Sequence, residues 1–169
     1  MRNRDGAGLN ERFAMGIEIE RKFLVLGEAW KDSGPGEFIS QGYLNRDPAR
    51  TVRVRIKGES AWLTIKGKNQ GLARAEFEYA LPLADAKQLL ALCEGPRIEK
   101  IRREVQHAGM SWEVDEFLGN NAGLVVAEIE LNNAEQEFER PPWLGEEVSH
   151  DARYFNSQLA NNPYTCWGE

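Results

Sequence analysis

The sequence predicts an α+β protein that is mainly antiparallel β, in which eight strands close into a barrel (a tunnel) and helices pack outside it. Three observations lead to this fold class. About eight segments alternate apolar and polar residues, as half-buried strands do. Short turns join most of these segments, and short connections imply antiparallel pairing. Closing such a sheet into a barrel also removes its exposed edges.

The strands fall into two groups that are separated by a helix. A connector at residues 27–35, with room for a short helical turn, joins the first two strands. Gly58-Glu59-Ser60 predicts a hairpin turn between the third and the fourth. The predicted strands cover residues 16–26, 37–45, 51–57, 61–66, 73–81, 97–107, 111–117 and 124–131.

Three helices are predicted outside the barrel. The strongest signal follows Pro82, where apolar residues recur at helical spacing until Gly95-Pro96 ends the pattern. A short polar helix is expected near residues 133–139, before a pair of prolines. A last helix is expected at about residues 150–160, with Ala152, Phe155 and Leu159 on one side.

Length and composition indicate one globular domain. The 169 residues can bury a sizeable core, and the 41% hydrophobic and 28% charged content is ordinary for such a domain. Residues 1–14 are polar and contain glycine, so we expect a flexible extension there and the domain at residues 15–169. The extension carries no apolar segment of the signal-peptide type.

The net charge and the number of cysteines indicate which classes of partner and which cellular compartment fit this protein. The net charge of −6 does not favour nucleic acid or an acidic membrane surface as a partner. No apolar run approaches the length that spans a bilayer. Cys93 and Cys166 provide neither a disulfide framework nor a metal-ligand spacing. We therefore expect a cytoplasmic protein.

Charged residues alternate with apolar ones on nearly every predicted strand. On a single strand this pattern is typical of a face in water. Here it recurs along the chain, and the helices need apolar strand faces to pack against, so we predict a barrel with apolar residues outside and charges inside. The alternating groups are Glu18-x-Glu20-x-Lys22, Arg53-x-Arg55, Glu76-x-Glu78, Lys100-x-Arg102, Glu113-x-Asp115 and Glu128-x-Glu130.

A charged interior indicates what the barrel holds. Unpaired buried charge is very costly, so water, metal and ligand must accompany these side chains. Inward lysine and arginine side chains bind phosphate oxygens, arginine in a bidentate manner. Clustered carboxylates without nearby histidine or cysteine form a hard oxygen site, which is typical of Mg²⁺ or Mn²⁺. The sequence therefore predicts a divalent cation together with a polyphosphate.

This ordered set of charged residues resembles the CYTH superfamily, the triphosphate tunnel metalloenzymes. Glu18-x-Glu20-x-Lys22 is similar to the ExExK signature of that family, and the likeness runs from about Gly16 to the last helix. The stretch Gln41-Gly42-Tyr43-Leu44 resembles the inorganic triphosphatase (tripolyphosphatase) branch. The resemblance implies a tunnel that hydrolyses inorganic triphosphate to pyrophosphate and phosphate with a divalent metal.

The resemblance also implies a role for each residue type. Lys100 and Tyr43 would form a dyad that activates the attacking water, although the metal could activate it while Lys100 only binds phosphate, and Tyr43 could equally be a wall aromatic. Glu76 and Glu78 would support the cations or belong to the acidic site. The implied metal ligands are Glu18, Glu20, Asp115, Glu128 and Glu130, and the implied substrate ligands are Lys22, Arg53, Arg55, Lys66 and Arg102.

Two other functions stay open at this point. A nucleotide-specific member (class IV adenylate cyclase, nucleoside or thiamine triphosphatase) would need a base-recognition pocket, for which the sequence has no signature. A non-catalytic module would bind polyphosphate or a nucleotide through the same tunnel. A homodimer is implied by the family alone. Arg74 is assigned to the outer surface, and Trp62 and Trp112 to outer apolar faces.

Overall fold

The structure is a computed structural model that describes residues 16–168. The predicted extension at residues 1–14 and the start of the domain at residue 15 lie outside the described residues. The strands are β1 (Ile17–Val25), β2 (Glu37–Asn45), β3 (Arg50–Lys57), β4 (Ser60–Gly67), β5 (Ala73–Leu81), β6 (Glu94–His107), β7 (Met110–Phe117), β8 (Val125–Glu130) and β9 (Leu144–Glu147). The helices are α1 (Leu83–Leu92) and α2 (Asn156–Leu159), with 3-10 helices at Ala29–Ser33, Gly119–Asn121, Ala152–Tyr154 and Tyr164–Cys166.

The predicted eight-stranded antiparallel barrel is confirmed. The strands follow the order β5-β4-β3-β2-β6-β7-β8-β1, and β1 pairs with β5 to close the sheet. The closing contact is short, because only residues 17–19 of β1 pair with residues 73–75 of β5. Hairpins supply the β3–β4 and β6–β7 pairs, and the first of them is the hairpin that Gly58-Glu59-Ser60 predicted.

The ninth strand was not predicted from the sequence. β9 has only four residues, too few to show an alternating pattern. It pairs with the part of β1 that β5 does not reach, where Val148 N donates to the Lys22 carbonyl at 2.8 Å and Leu26 N donates to the Trp143 carbonyl at 2.7 Å. β9 thus covers an edge that would otherwise be open.

The helix predictions after the barrel were partly wrong. Residues 133–139 form turns and extended chain, because Asn133 Oδ1 accepts from Glu135 N at 3.1 Å and so offers the backbone a non-helical partner. The helix predicted at residues 150–160 is interrupted, since Phe155 is extended with ψ at 134°. The strand β6 already includes Gly95-Pro96, which was predicted only to end α1.

The apolar core lies mainly on the outer face of the barrel, as predicted. Trp112 is fully buried there among Phe23, Val114 and other outer residues. On another side, Ala86 and Leu90 of α1 cover β3 and β4. Within residues 16–168, no helix is both long and apolar enough to cross a bilayer.

One end of the barrel interior is apolar and packs against the C-terminal segment. Ile98, Phe117 and Val126 occupy inward positions near this end, and Leu159 and Ala160 pack against them. All five residues are at most 3% exposed. The C-terminal segment is therefore part of the wall that borders the tunnel.

A salt bridge on the outer surface gives the first prediction. Arg21 donates to both carboxylate oxygens of Glu147 on β9, at 2.8 and 2.5 Å, and these bonds, reinforced by Ser149, lower the pKa of Glu147 against the opposing effect of burial. Glu147→Gln should lower the free energy of unfolding at neutral pH by about 1 kcal/mol or less, because the pair is partly exposed.

The pH dependence has a defined sign. The pKa of Glu147 is lower in the folded protein than in the unfolded chain. The ionised carboxylate therefore adds to the free energy of unfolding above the unfolded pKa, and this addition is lost as the pH falls through the folded pKa. Urea unfolding should show a smaller deficit under acidic conditions, below the ordinary pKa of a glutamate, than near neutral pH. Glu146→Gln, a change at an exposed neighbour, is the control. An equal deficit at both pH values would contradict the assignment.

Candidate active site

The barrel surrounds a charged cavity that is open to solvent, and the empty space of the cavity together with its mouth is about 790 Å³. Seven carboxylates and seven cationic side chains line it. Every site residue predicted from the sequence contributes to this lining except Asp115, which lies behind it. The remaining lining residues are Thr51, Phe155, Asn156 and Ser157, together with the predicted Tyr43.

Strand alternation and register bring the charged side chains together. Residues at every second position of a strand face the same side, so each predicted group points into the barrel. The register then places acids beside cations, since Lys22 lies opposite Glu128 and Lys66 lies opposite Glu76.

A first network links β1, β4 and β5. Lys66 Nζ donates to both carboxylate oxygens of Glu18 at 2.9 Å and pairs with Glu76 at 3.0 Å. Arg74 Nε donates to Glu18 Oε2 at 3.2 Å. Burial would raise the pKa of Glu18, but Lys66 and Arg74 together hold it below its ordinary value. Glu18 is therefore ionised at neutral pH.

A second network links β1 and β8. Lys22 Nζ donates to Glu128 Oε1 at 2.5 Å and pairs with Glu20 at 2.9 Å. Burial opposes the ionisation of Glu128, yet Lys22 is the main group that lowers the pKa of Glu128 to about 2. Glu20 lies directly opposite Glu130 on β8, so carboxylates from two strands stand side by side.

A third network surrounds Asp115, which is fully buried. Its Oδ2 accepts from Lys100 Nζ at 2.7 Å, and Arg102 donates to both of its oxygens, at 2.6 and 2.7 Å. Burial lowers the pKa of Lys100 to about 8, which outweighs the opposing attraction of Asp115. The amine of Lys100 thus has an uncharged fraction near neutral pH. Asn156 Oδ1 also accepts from Lys100 Nζ, at 3.1 Å.

The β3 arginines retain donors for an anion. Glu78 accepts from Arg55 Nη2 at 3.3 Å and from the Thr64 hydroxyl at 2.8 Å, and Arg53 Nη2 donates to that hydroxyl at 3.2 Å. The Nε atoms of Arg53 and Arg55 are buried without a hydrogen-bond partner. Burial, with the nearby charge of Arg53, lowers the pKa of Arg55 to about 10. Such a pair of buried cationic donors suits phosphate oxygens.

Two surface assignments made from the sequence are wrong. Arg74 lines the cavity, and its side chain is 20% exposed. Its spacing from Glu76 and Glu78 could have revealed this, because the three residues alternate on β5. Trp62 shares the inward side of β4 with Thr64, and the Arg55 guanidinium lies over its ring at 5.1 Å.

Other lining residues were missed. Glu113 was noted as part of the alternating pattern but received no role, although it lines the cavity and accepts from Arg102. Asn156 and Ser157 come from the C-terminal segment, whose irregular backbone carries no periodic signal.

The carboxylates suit a hard divalent cation by their chemistry. They offer oxygen donors only, which Mg²⁺ and Mn²⁺ prefer. Among residues 16–168, no three acidic, histidine or cysteine side chains converge closely enough to hold a metal as they stand. The contacts explain this, because carboxylates such as Glu18 and Glu128 are drawn towards the cavity lysines. To bind a metal ion, these carboxylates would have to give up their ion pairs with the lysines.

Comparison with known proteins gives consistent likenesses. A family model described as the CYTH domain matches residues 16–161. A curated inorganic triphosphatase of Acetivibrio thermocellus is 49% identical over 156 residues, which is 92% of this chain and 100% of that protein. One from Nitrosomonas europaea is 37% identical over 152 residues, covering 85% of this chain and 96% of that protein.

Solved structures share the fold. One described as an inorganic triphosphatase has a TM-score of 0.60 at 34% identity and covers 85% of this chain and 97% of that chain. A conserved hypothetical protein from Pyrococcus furiosus has a TM-score of 0.55 at 18% identity, covering 70% of this chain and 80% of that chain, and supports the fold alone.

The buried position of Asp115 gives a prediction about stability. Asp115→Asn should lower the free energy of unfolding by about 3 kcal/mol, because Lys100 and Arg102 would lose their shared buried counter-charge. Urea unfolding measures the change. The same substitution at the exposed Asp85 is the control and should cost less than about 0.5 kcal/mol. A similar small loss at both positions would refute the prediction.

Proposed function

This chain belongs to the CYTH domain family, and on that premise we propose that it hydrolyses inorganic triphosphate to pyrophosphate and phosphate inside its barrel. One observation carries the proposal: a cavity inside the barrel that is lined by seven cationic side chains and seven carboxylates. That lining can bind a polyanion and a divalent cation together. The choice of inorganic triphosphate follows the two curated relatives.

The proposed metal ligands are carboxylates of β1 and β8. Glu18, Glu20, Glu128 and Glu130 line the cavity and would hold Mg²⁺ or Mn²⁺. A bound divalent cation would neutralise charge on the phosphate oxygens and act as a Lewis acid. Asp115 is a weaker candidate, since both of its oxygens already accept from Lys100 and Arg102. We assign it the role of orienting those two cations.

The proposed substrate ligands are the cations on the other walls. Their positive charges would hold the triphosphate and stabilise the negative charge that develops during transfer of the terminal phosphoryl group. The unpartnered Nε atoms of Arg53 and Arg55 are ready donors. Glu76 and Glu78 orient the cations, because Glu76 pairs with Lys66 and Glu78 pairs with Arg55. The ligand set is Lys22, Arg53, Arg55, Lys66 and Arg102 from the sequence, with Arg74 added by the structure.

Lys100 is the proposed base for the attacking water. It is 1% exposed, and the pKa of about 8 that burial gives it leaves neutral amine available to accept a proton. Tyr43 lines the same cavity at 5% exposure and packs with Phe117 and Leu159 at the apolar end. These contacts support a wall position for Tyr43, and its share in activating the water stays a prediction.

Finer points from the sequence also stay predictions. They are the choice between Mg²⁺ and Mn²⁺, a cytoplasmic location, a homodimer and the absence of a nucleic-acid or membrane partner. The two cysteines are free thiols, which agrees with a reducing compartment.

A substrate panel tests the function. Phosphate release should be fastest with inorganic triphosphate when ATP and thiamine triphosphate are compared under Mg²⁺ and Mn²⁺, and chelation by EDTA should abolish it. A faster rate with ATP, or formation of cyclic AMP, would favour the nucleotide-specific alternative. Tight triphosphate binding without turnover under either metal would favour the non-catalytic module.

A paired substitution tests the metal site. Glu128→Gln with Glu130→Gln should reduce phosphate release by more than about 100-fold, because two oxygen ligands lose their charge. Calorimetric titration with Mn²⁺ and triphosphate should show a matching loss of metal affinity. The control is Glu135→Gln with Glu137→Gln, which removes two exposed charges at the same spacing. Retained activity in a folded Glu128/Glu130 variant would exclude these residues as ligands.

A further inference from the structure

The C-terminal segment brings an amide side chain into contact with Lys100. Asn156, the first residue of α2, lines the cavity. Its Oδ1 accepts from Lys100 Nζ at 3.1 Å and from Gln41 Nε2 at 3.3 Å. Because a lysine nitrogen contacts it, the amide must present its oxygen, since an ammonium can only donate.

Buried contacts fix the position of Asn156. Three residues further along, Leu159 is 1% exposed at the apolar end of the barrel, and its carbonyl accepts from Asn121 Nδ2 at 3.4 Å. Asn121 Oδ1 accepts in turn from Tyr164 N at 2.8 Å. The segment on the C-terminal side of Asn156 is thus held by packing and by hydrogen bonds, so its amide oxygen faces Lys100 in a defined place.

The contact also directs the Lys100 side chain. A lysine ammonium has three donors, and Asp115 and Asn156 accept two of them. The remaining site on the nitrogen, which is a third hydrogen in the ammonium form and the lone pair in the neutral amine, is left for the contents of the cavity. Gln41 is fully buried on β2, the strand next to β6, and donates to the same Asn156 oxygen, which further restrains the amide.

We propose that Asn156 is a positioning residue, whose side-chain oxygen holds the Lys100 nitrogen in the place from which it acts on the attacking water. The proposal rests on the proposed function, because Asn156 acts only through Lys100. It makes the C-terminal segment, which belongs to no strand of the barrel, part of the catalytic machinery.

Two variants of the same size separate positioning from packing. Asn156→Leu keeps the shape and removes the oxygen, so kcat for triphosphate should fall about tenfold, the equivalent of one lost hydrogen bond. Asn156→Asp keeps the oxygen, but its negative charge should raise the pKa of Lys100 and move the pH profile of kcat to higher pH. On the high-pH plateau of that profile, kcat should stay within about threefold of the wild type, while KM for the anion should rise. Asn162→Leu and Asn162→Asp, at an exposed position of the same segment, are the controls.

Unfolding provides a readout that does not depend on activity. Asn156→Leu should lower the urea midpoint more in the wild-type background than in a Lys100→Met background, because only the bond from Gln41 is left to lose in the second. Equal kcat for the two Asn156 variants on the high-pH plateau would overturn the proposal, as would equal midpoint shifts in both backgrounds. Lack of turnover in the wild type would refute the proposed function instead, and the midpoint cycle would then decide whether Asn156 and Lys100 interact.

Discussion

Mutual pairing of buried charges is the constraint on which this structure depends. A barrel that turns seven carboxylates and seven cationic side chains inward must neutralise them locally, because an isolated buried charge is far too costly. The antiparallel register meets this need by placing acids and cations opposite one another on neighbouring strands, as with Lys66 and Glu76. In the proposed function, the same pairs supply the groups that would bind metal and phosphate.

The charged interior also determines what lies outside. Since alternate residues face opposite sides, the outer face of the barrel is apolar and needs cover. The helix α1 covers β3 and β4, while a cluster that includes Trp112 and Trp143 covers β7 and the strands beside it. The short strand β9 protects the part of β1 that β5 leaves unpaired. The irregular segments after β8 are therefore required by the barrel.

Strand alternation explains how much could be predicted. It was sufficient to predict the eight strands, the inward charged face and most of the residues that line the cavity. The spacing of Arg74 from Glu76 would also have placed Arg74 in the lining. It could not reveal β9 or Asn156, because both lie in segments without periodicity and take their positions from distant partners. The interruption of the last predicted helix was missed for the same reason. Phe155 is extended and lines the cavity, and a position set by such distant contacts leaves no local pattern in the sequence.

The equal number of acidic and basic side chains in the lining has a consequence for how substrate arrives. A cavity whose charges cancel projects little field into solvent, and the protein as a whole carries a net charge of −6. On the proposed function, a free triphosphate is therefore not attracted from a distance, and the net negative charge of the protein opposes its approach. On the proposed assignment of the site, recognition would begin only at contact, when a phosphate oxygen replaces a carboxylate beside a lysine and leaves that carboxylate free for a cation.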